Sequence, residues 1–173
     1  IWSANSGGTL GGRLTARLLE SDGRVIAETS KAVEAAGDSA KRQMEIRAPM
    51  ANIEGELFWL DLTLTDDSGD PLAENRYVFS TEDNLEALVR LPLADLSVAL
   101  EKGEDDWLIT LTNVTDQPAV GVWLEVEKAD LSEPGYVYFS DNYFHLLPGE
   151  QVSVRMEWED VPKDQRHLRL SGW

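Results

Sequence analysis

Carboxylates are the first side chains to weigh, because 32 of the 173 residues are Asp or Glu. Two carboxyl groups held a few Å apart perform the general acid and base work of glycoside hydrolysis. At this density pairs arise everywhere, so spacing has to decide. Asp66, Asp67 and Asp70 share one loop-like stretch, and Asp105 and Asp106 stand just before an apolar alternation. Both groups read as solvated turn carboxylates. A calcium loop counted from Asp66 fails: its sixth position is Pro71 where Gly is needed, and its twelfth is Tyr77 where Glu is needed. His145 and His167 are the only histidines and lie too far apart to form a ligand motif by spacing, so each reads as a surface or interface residue. With no cysteine, the chain has no thiolate nucleophile, disulfide or cysteine zinc site. Gly7-Gly8 and Gly11-Gly12 lack the Lys-Ser/Thr that completes a phosphate cradle, and no serine sits in a nucleophile elbow. No metal or other cofactor is expected.

Aromatic side chains offer a second kind of chemistry, since their faces stack on the apolar faces of sugar rings as they do on one another. The chain has six Trp. Trp107 and Trp158 alternate in step with apolar neighbours and read as core, whereas Trp59 and Trp123 alternate onto the opposite face. With Tyr138 they are the candidate carbohydrate-binding residues. Asn113-Val114-Thr115 fits a glycosylation acceptor pattern and reads here as a turn.

The elements that would position these residues are strands. Leu14, Ala16 and Leu18 alternate with Arg13, Thr15 and Arg17, the period of a half-buried strand, and Asp22-Gly23 supplies the next turn. An extended stretch from Val25 to about Val33 follows, then a loop at Ala36-Gly37-Asp38-Ser39 and an alternation through Met44, Ile46 and Ala48. Phe58, Leu60, Leu62 and Leu64 share one face of a clear strand, and a loop over Asp66-Asp67-Ser68-Gly69-Asp70 turns it back into a partner from Leu72 to Phe79. The pattern breaks near residues 82–92. There Leu85, Leu88 and Val89 recur at helical spacing before Pro92, as in a linker packed on one side.

Alternation then resumes with Leu96, Val98 and Leu100, with Trp107, Ile109 and Leu111, and with Val120, Val122, Leu124 and Val126. After Leu147-Pro148-Gly149-Glu150 come Val152, Val154, Met156 and Trp158, and Leu168 and Leu170 lie in the last strand. Short strands at regular spacing predict an all-β chain of two tandem immunoglobulin-like antiparallel β-sandwiches, over residues 1–84 and 92–173. Each is near the small end of what folds without staples, so the two are expected to lean on each other or on a missing remainder.

Charge narrows the partners. Fifteen Lys and Arg against 32 Asp and Glu give a net charge of −17, which excludes a nucleic-acid binder of the usual electrostatic kind and disfavours an anionic membrane surface. Apolar runs are far short of the roughly 20 residues that span a bilayer. The chain starts at Ile1 with no initiator Met, basic n-region or apolar h-region, and reads as a piece of something longer.

One segment is more specific than composition. Ser140-Asp141-Asn142-Tyr143-Phe144-His145-Leu146-Leu147-Pro148-Gly149-Glu150 resembles the C-terminal sandwich of β-mannosidases and related exo-β-glucosaminidases of glycoside hydrolase family 2. Leu111-Thr112-Asn113 with Gln117-Pro118-Ala119, and Leu170-Ser171-Gly172-Trp173, are similar to that domain's earlier and closing strands. Ile1-Trp2-Ser3-Ala4-Asn5, Asp22-Gly23, Asn75-Arg76-Tyr77 and Leu91-Pro92 resemble the immunoglobulin-like domain that follows the catalytic barrel. The run from Gly7 to Gly12 and the strong acidity depart from the family pattern.

The resemblance implies a non-catalytic accessory pair whose partners are the catalytic TIM barrel and N-terminal β-domains of the same parent, most like a β-mannosidase. The barrel needs about 250 residues and carries both glutamates of the retaining mechanism, so no catalytic residue transfers to this chain. In the motif, Asp141 and Asn142 are expected to bond local backbone, Tyr143 and Phe144 to anchor the loop on the core, and Pro148-Gly149 to set the reversal. Contact with the barrel or the cleft rim is the alternative role for that loop. The resemblance further implies a soluble protein of a bacterial cytoplasm or periplasm. An independent carbohydrate-binding or cell-surface adhesion module is the competing expectation, and a hydrolase in its own right comes last.

Overall fold

The computed structural model describes residues 1–82, 84–103, 106–128, 136–159, 161–162 and 165–172. Asp83, Asp105 and Trp173 lie outside the described residues. The chain divides into two compact units, Ile1–Ala87 and Leu88–Trp173.

In the first unit, β1 (Trp2–Asn5) pairs with β4 (Ser39–Arg42), and β2 (Leu10–Glu20), β3 (Val25–Ala35), β5 (Leu57–Thr65) and β6 (Pro71–Ser80) form an antiparallel sheet in the order β3-β2-β5-β6. The register explains why β2 and β5 adhere. Leu14 faces Leu64, Ala16 faces Leu62 and Leu18 faces Leu60, so one side of the sheet becomes a continuous apolar surface. Full burial of a Leu contributes about 1.5–3 kcal/mol, which Leu14 and Leu18 approach while the partly buried Leu60, Leu62 and Leu64 contribute less. The β5–β6 loop closes as read from the sequence: Asp66 Oδ1 accepts from the N–H groups of Ser68 (2.8 Å) and Asp70 (2.9 Å), and Gly69 takes φ +91°. At the other end of the sheet, the buried Glu20 carboxylate accepts from the Glu54 N–H at 2.7 Å.

The strand expected at Met44–Ala48 is not there. The ladder residues are Ser39–Arg42, just before it, and residues 43–49 run outside any sheet. Their alternation is nevertheless real, because Met44 and Ile46 pack with Ile1 on Leu14, Ala16, Leu60, Leu62 and Leu64. Alternation reports which side chains are buried, and burial does not require a neighbouring strand.

Helix α1 (Glu86–Arg90) is a single turn that begins where Asn84 Oδ1 accepts from the Glu86 N–H at 2.9 Å. Pro92 cannot continue it. The second unit contains β7 (Leu96–Lys102), β8 (Asp106–Asn113), β9 (Ala119–Lys128), β10 (Val137–Phe139), β11 (Phe144–Leu146), β12 (Gln151–Trp158) and β13 (Arg166–Ser171). They form two antiparallel sheets, β10-β12-β8-β7 and β11-β9-β13, in an immunoglobulin-like sandwich. Between them lies a core of Trp107, Ile109, Leu111, Val122, Leu124, Val154, Met156 and Trp158. Trp107 and Trp158 are thus core residues, as their alternation indicates. The short β10 and β11 escaped the sequence reading, because three residues are too few to show a period.

Candidate functional site

The three candidate sugar-stacking residues do not meet. Trp59 has 0% of its surface exposed, which removes it as a stacking face. The expectation failed because β5 is covered on both sides at this point: Leu57 and Trp59 are buried on one face, while Leu60, Leu62 and Leu64 line the core on the other. Tyr138 is 46% exposed, but it stands on β10 in the four-stranded sheet of the second unit. Trp123 belongs to β9 in the opposite sheet. What lies beside Trp123 is Tyr143, whose ring stacks on it with centroids 6.4 Å apart and planes 21° from parallel.

This pair is built by three local devices. First, β9 alternates strictly, with Val122, Leu124 and Val126 turned to the core, so Trp123, Glu125 and Glu127 face outward. Second, the β9–β11 ladder is bulged. Phe144 faces Val122 while Leu146 faces Ala119, which leaves one extra residue on β9. Gly121 absorbs it at φ +59°, and its N–H donates to His145 Nδ1 at 3.0 Å. His145 is therefore placed by the bulge.

Third, the ladder is continued by a side chain. Extending the register by two pairs beyond Phe144 and Val122 sets residue 142 opposite Leu124. There the Asn142 amide does the bonding, accepting from the Leu124 N–H at 2.8 Å and donating to the Leu124 carbonyl at 3.0 Å. Asn142 Oδ1 also accepts from the Tyr143 N–H at 3.1 Å. The backbone then turns through Tyr143 at φ +63°, a left-handed conformation uncommon for any residue other than Gly, Asn or Asp.

Tyr143 emerges 74% exposed and not anchored on the core, which corrects its expected role. Phe144 is the anchor, packed against the sandwich interior. Asp141 accepts from the Asn142 N–H at 2.8 Å, and Gly149 after Pro148 takes φ +76° in the reversal.

Asn113 secures the same end of the sandwich, where its sequence pattern indicates only a turn. Its side chain is fully buried: Nδ2 donates to the carbonyls of Gln117 (2.7 Å) and Leu146 (3.0 Å), and Oδ1 accepts from Thr115 N–H (3.0 Å) and Thr115 Oγ1 (2.8 Å). Its backbone also bonds Glu150 and Gly149. An amide used in this way offers nothing to a glycosyltransferase in the folded chain.

Around the aromatic pair the outward surface is acidic. Glu125 and Glu127 follow Trp123 along β9, Asp141 leads into the loop, and Arg169 on β13 lies 3.9 Å from Glu125. Ser171 of β13 lies in register with Trp123, and His167 with Glu127. Among the described residues, no group of three or more His, Asp or Glu is arranged to hold a metal ion.

A family model described as the exo-beta-D-glucosaminidase Ig-fold domain matches residues 75–173, more than half of the chain. The chain belongs to this family. Two solved structures show the fold of the whole Ig-fold chain. The Amycolatopsis orientalis exo-chitosanase CsxA is similar with a TM-score of 0.73 at 20% identity, over 96% of this chain and 23% of that one. The β-D-mannosidase from Dictyoglomus thermophilum gives 0.69 at 18% identity, over 99% of this chain and 20% of that one. The Ig-fold chain thus spans between a fifth and a quarter of the length of these enzymes. No curated protein sequence matches it.

Proposed function

We infer that the chain is a non-catalytic accessory pair of a family 2 exo-glycosidase, and that its parent removes terminal β-linked amino sugars from an oligosaccharide. The observation that carries this reading is the exo-β-glucosaminidase family match across the second sandwich, with the fold likeness to both neighbouring enzymes extending over the first. Retaining hydrolysis in such a parent needs two carboxyl groups about 5–5.5 Å apart on a barrel. Among the described residues the elements are strands and short helical turns, which provide no such scaffold, so the work here is packing on the barrel, supporting it and shaping access to it. The β-mannosidase neighbour, which matches 99% of this chain, favours β-mannoside hydrolysis as the second reading of the parent.

The test is an aryl-glycosidase assay with β-glucosaminide and β-mannoside substrates, run on this chain alone and on the longer protein that contains it. The chain alone is expected to give no turnover with either. The longer protein is expected to cleave the glucosaminide with the higher kcat/KM. Turnover by the chain alone, or a longer protein inert towards both, overturns the reading.

A further inference from the structure

The feature that packing does not use is the Trp123–Tyr143 pair. An aromatic residue that served only the fold would turn inward, yet Tyr143 is 74% exposed. It also holds φ +63°, a backbone state that glycine occupies freely and a tyrosine only at a cost. The Asn142 amide, fixed to both backbone groups of Leu124, leaves the turn little freedom to relax. An exposed Tyr143 ring stacked with a half-buried Trp123 and supported by a sheet is a surface on which the C–H face of a pyranose can lie. Its surroundings select the charge of that sugar. Glu125, Glu127 and Asp141 bring negative charge to this side of the sandwich, offset in part by Arg169 beside Glu125, within a chain of net charge −17. A ring face also attracts an ammonium group directly.

We propose that the Trp123–Tyr143 pair is a stacking subsite for a protonated amino-sugar unit of a β-linked oligosaccharide, separate from the catalytic cleft of any parent. The preference for an amino sugar over a neutral one rests partly on the reading above; the stacking surface does not. Glu125 and Asp141 supply the opposing charge, and the subsite would hold a cationic chain near the enzyme between cleavage events.

The experiment uses the 173-residue chain, with glucosamine tetramer, N-acetylglucosamine tetramer and mannotetraose as probes. Binding is followed by calorimetry and by indole N–H shifts at about pH 6, where the amine is protonated. The expected result is binding of the glucosamine tetramer with the Trp123 indole signal moving, at least about tenfold tighter than either neutral tetramer, and weakening with added salt. Tyr143→Gly should weaken it about tenfold or more without lowering Tm, because glycine suits the left-handed turn. Glu125→Gln should reduce the margin over mannotetraose.

No binding of the glucosamine tetramer at about 10 mM assigns the rings to packing on another domain and overturns the proposal. So does equal binding of mannotetraose, and so does binding that survives both Tyr143→Gly and Trp123→Ala, which would mark adsorption elsewhere on an acidic surface. The parent's turnover assay is scored separately. A glucosaminidase parent with a non-binding chain fails this proposal alone, whereas a binding chain with a parent inert to glucosaminides fails the other reading alone.

Discussion

Asn113 uses both ends of its amide on partners that no other side chain of its size could satisfy together. Asn113→Ala takes this partner from the Leu146 carbonyl and the Thr115 N–H and leaves the Gln117 carbonyl only the Thr115 Oγ1 donor at 3.2 Å, and buried groups stranded in this way cost about 1–3 kcal/mol each, partly recovered by relaxation. A loss of about 2–4 kcal/mol is expected in urea unfolding monitored by fluorescence. The Asn-x-Thr pattern announced a turn, and the four-residue reach to Gln117 is legible locally. The bond to Leu146, 33 residues on, is not, because nothing in one sequence says which strand end comes to lie beside that turn. A fully exposed group gives a smaller test. The hydrogen bond and charge of Arg47, then the charge of Arg42, hold Glu45 below the usual carboxylate range. A depressed folded value means stability present above the unfolded pKa and lost as pH falls through the folded one. Glu45→Gln should therefore narrow slightly the difference in Tm between neutral and acidic buffer, by lowering Tm on the neutral side and leaving the acid side unchanged.

At the scale of the element, β9 carries the design of the site, and its bulge is the part most open to attack. Gly121 at φ +59° lets the extra residue pass while its N–H reaches His145. A β-branched side chain cannot take that backbone state cheaply, so Gly121→Val is expected to destabilise the second unit by about 1–3 kcal/mol. Amide exchange at Val122 and Leu124 should rise before exchange on β8 does. The alternation of β9 was plain in the sequence; the bulge was hidden because one glycine among valines looks like any strand interior. The reverse error occurred on β5. The periodicity correctly sets Trp59 on the face opposite Leu60, but a period of two names the faces without saying that both are covered. Trp59→Ala should accordingly cost about 3–5 kcal/mol in stability and leave any sugar affinity of the chain unchanged.

For the whole molecule, the two-unit all-β plan follows from features that sequence reports well: strand length, turn residues and the change of pattern around residues 82–92. The aromatic site does not follow, since it depends on a backbone angle at Tyr143 and on a side chain standing in for a strand. Net charge −17 is the global property with the most direct effect on stability. Self-repulsion at that charge opposes compaction, so raising NaCl from about 0.01 to 0.5 M should raise Tm, the Debye length falling from about 30 Å to a few Å. A Tm that falls with salt would mean that local ion pairs such as Arg17–Glu28 outweigh the repulsion.

The sheet order gives a practical corollary. Strands β6 and β7 end their sheets, and they display Leu72, Tyr77, Phe79, Val98 and Leu100 to solvent. Repulsion between copies is what keeps such open margins from joining into aggregates. That protection vanishes near the isoelectric point of 4.3. Turbidity should therefore peak in mildly acidic buffer, in the range where an amino sugar is fully protonated, and an amino-sugar ligand would have to be studied on the neutral side of that precipitation zone.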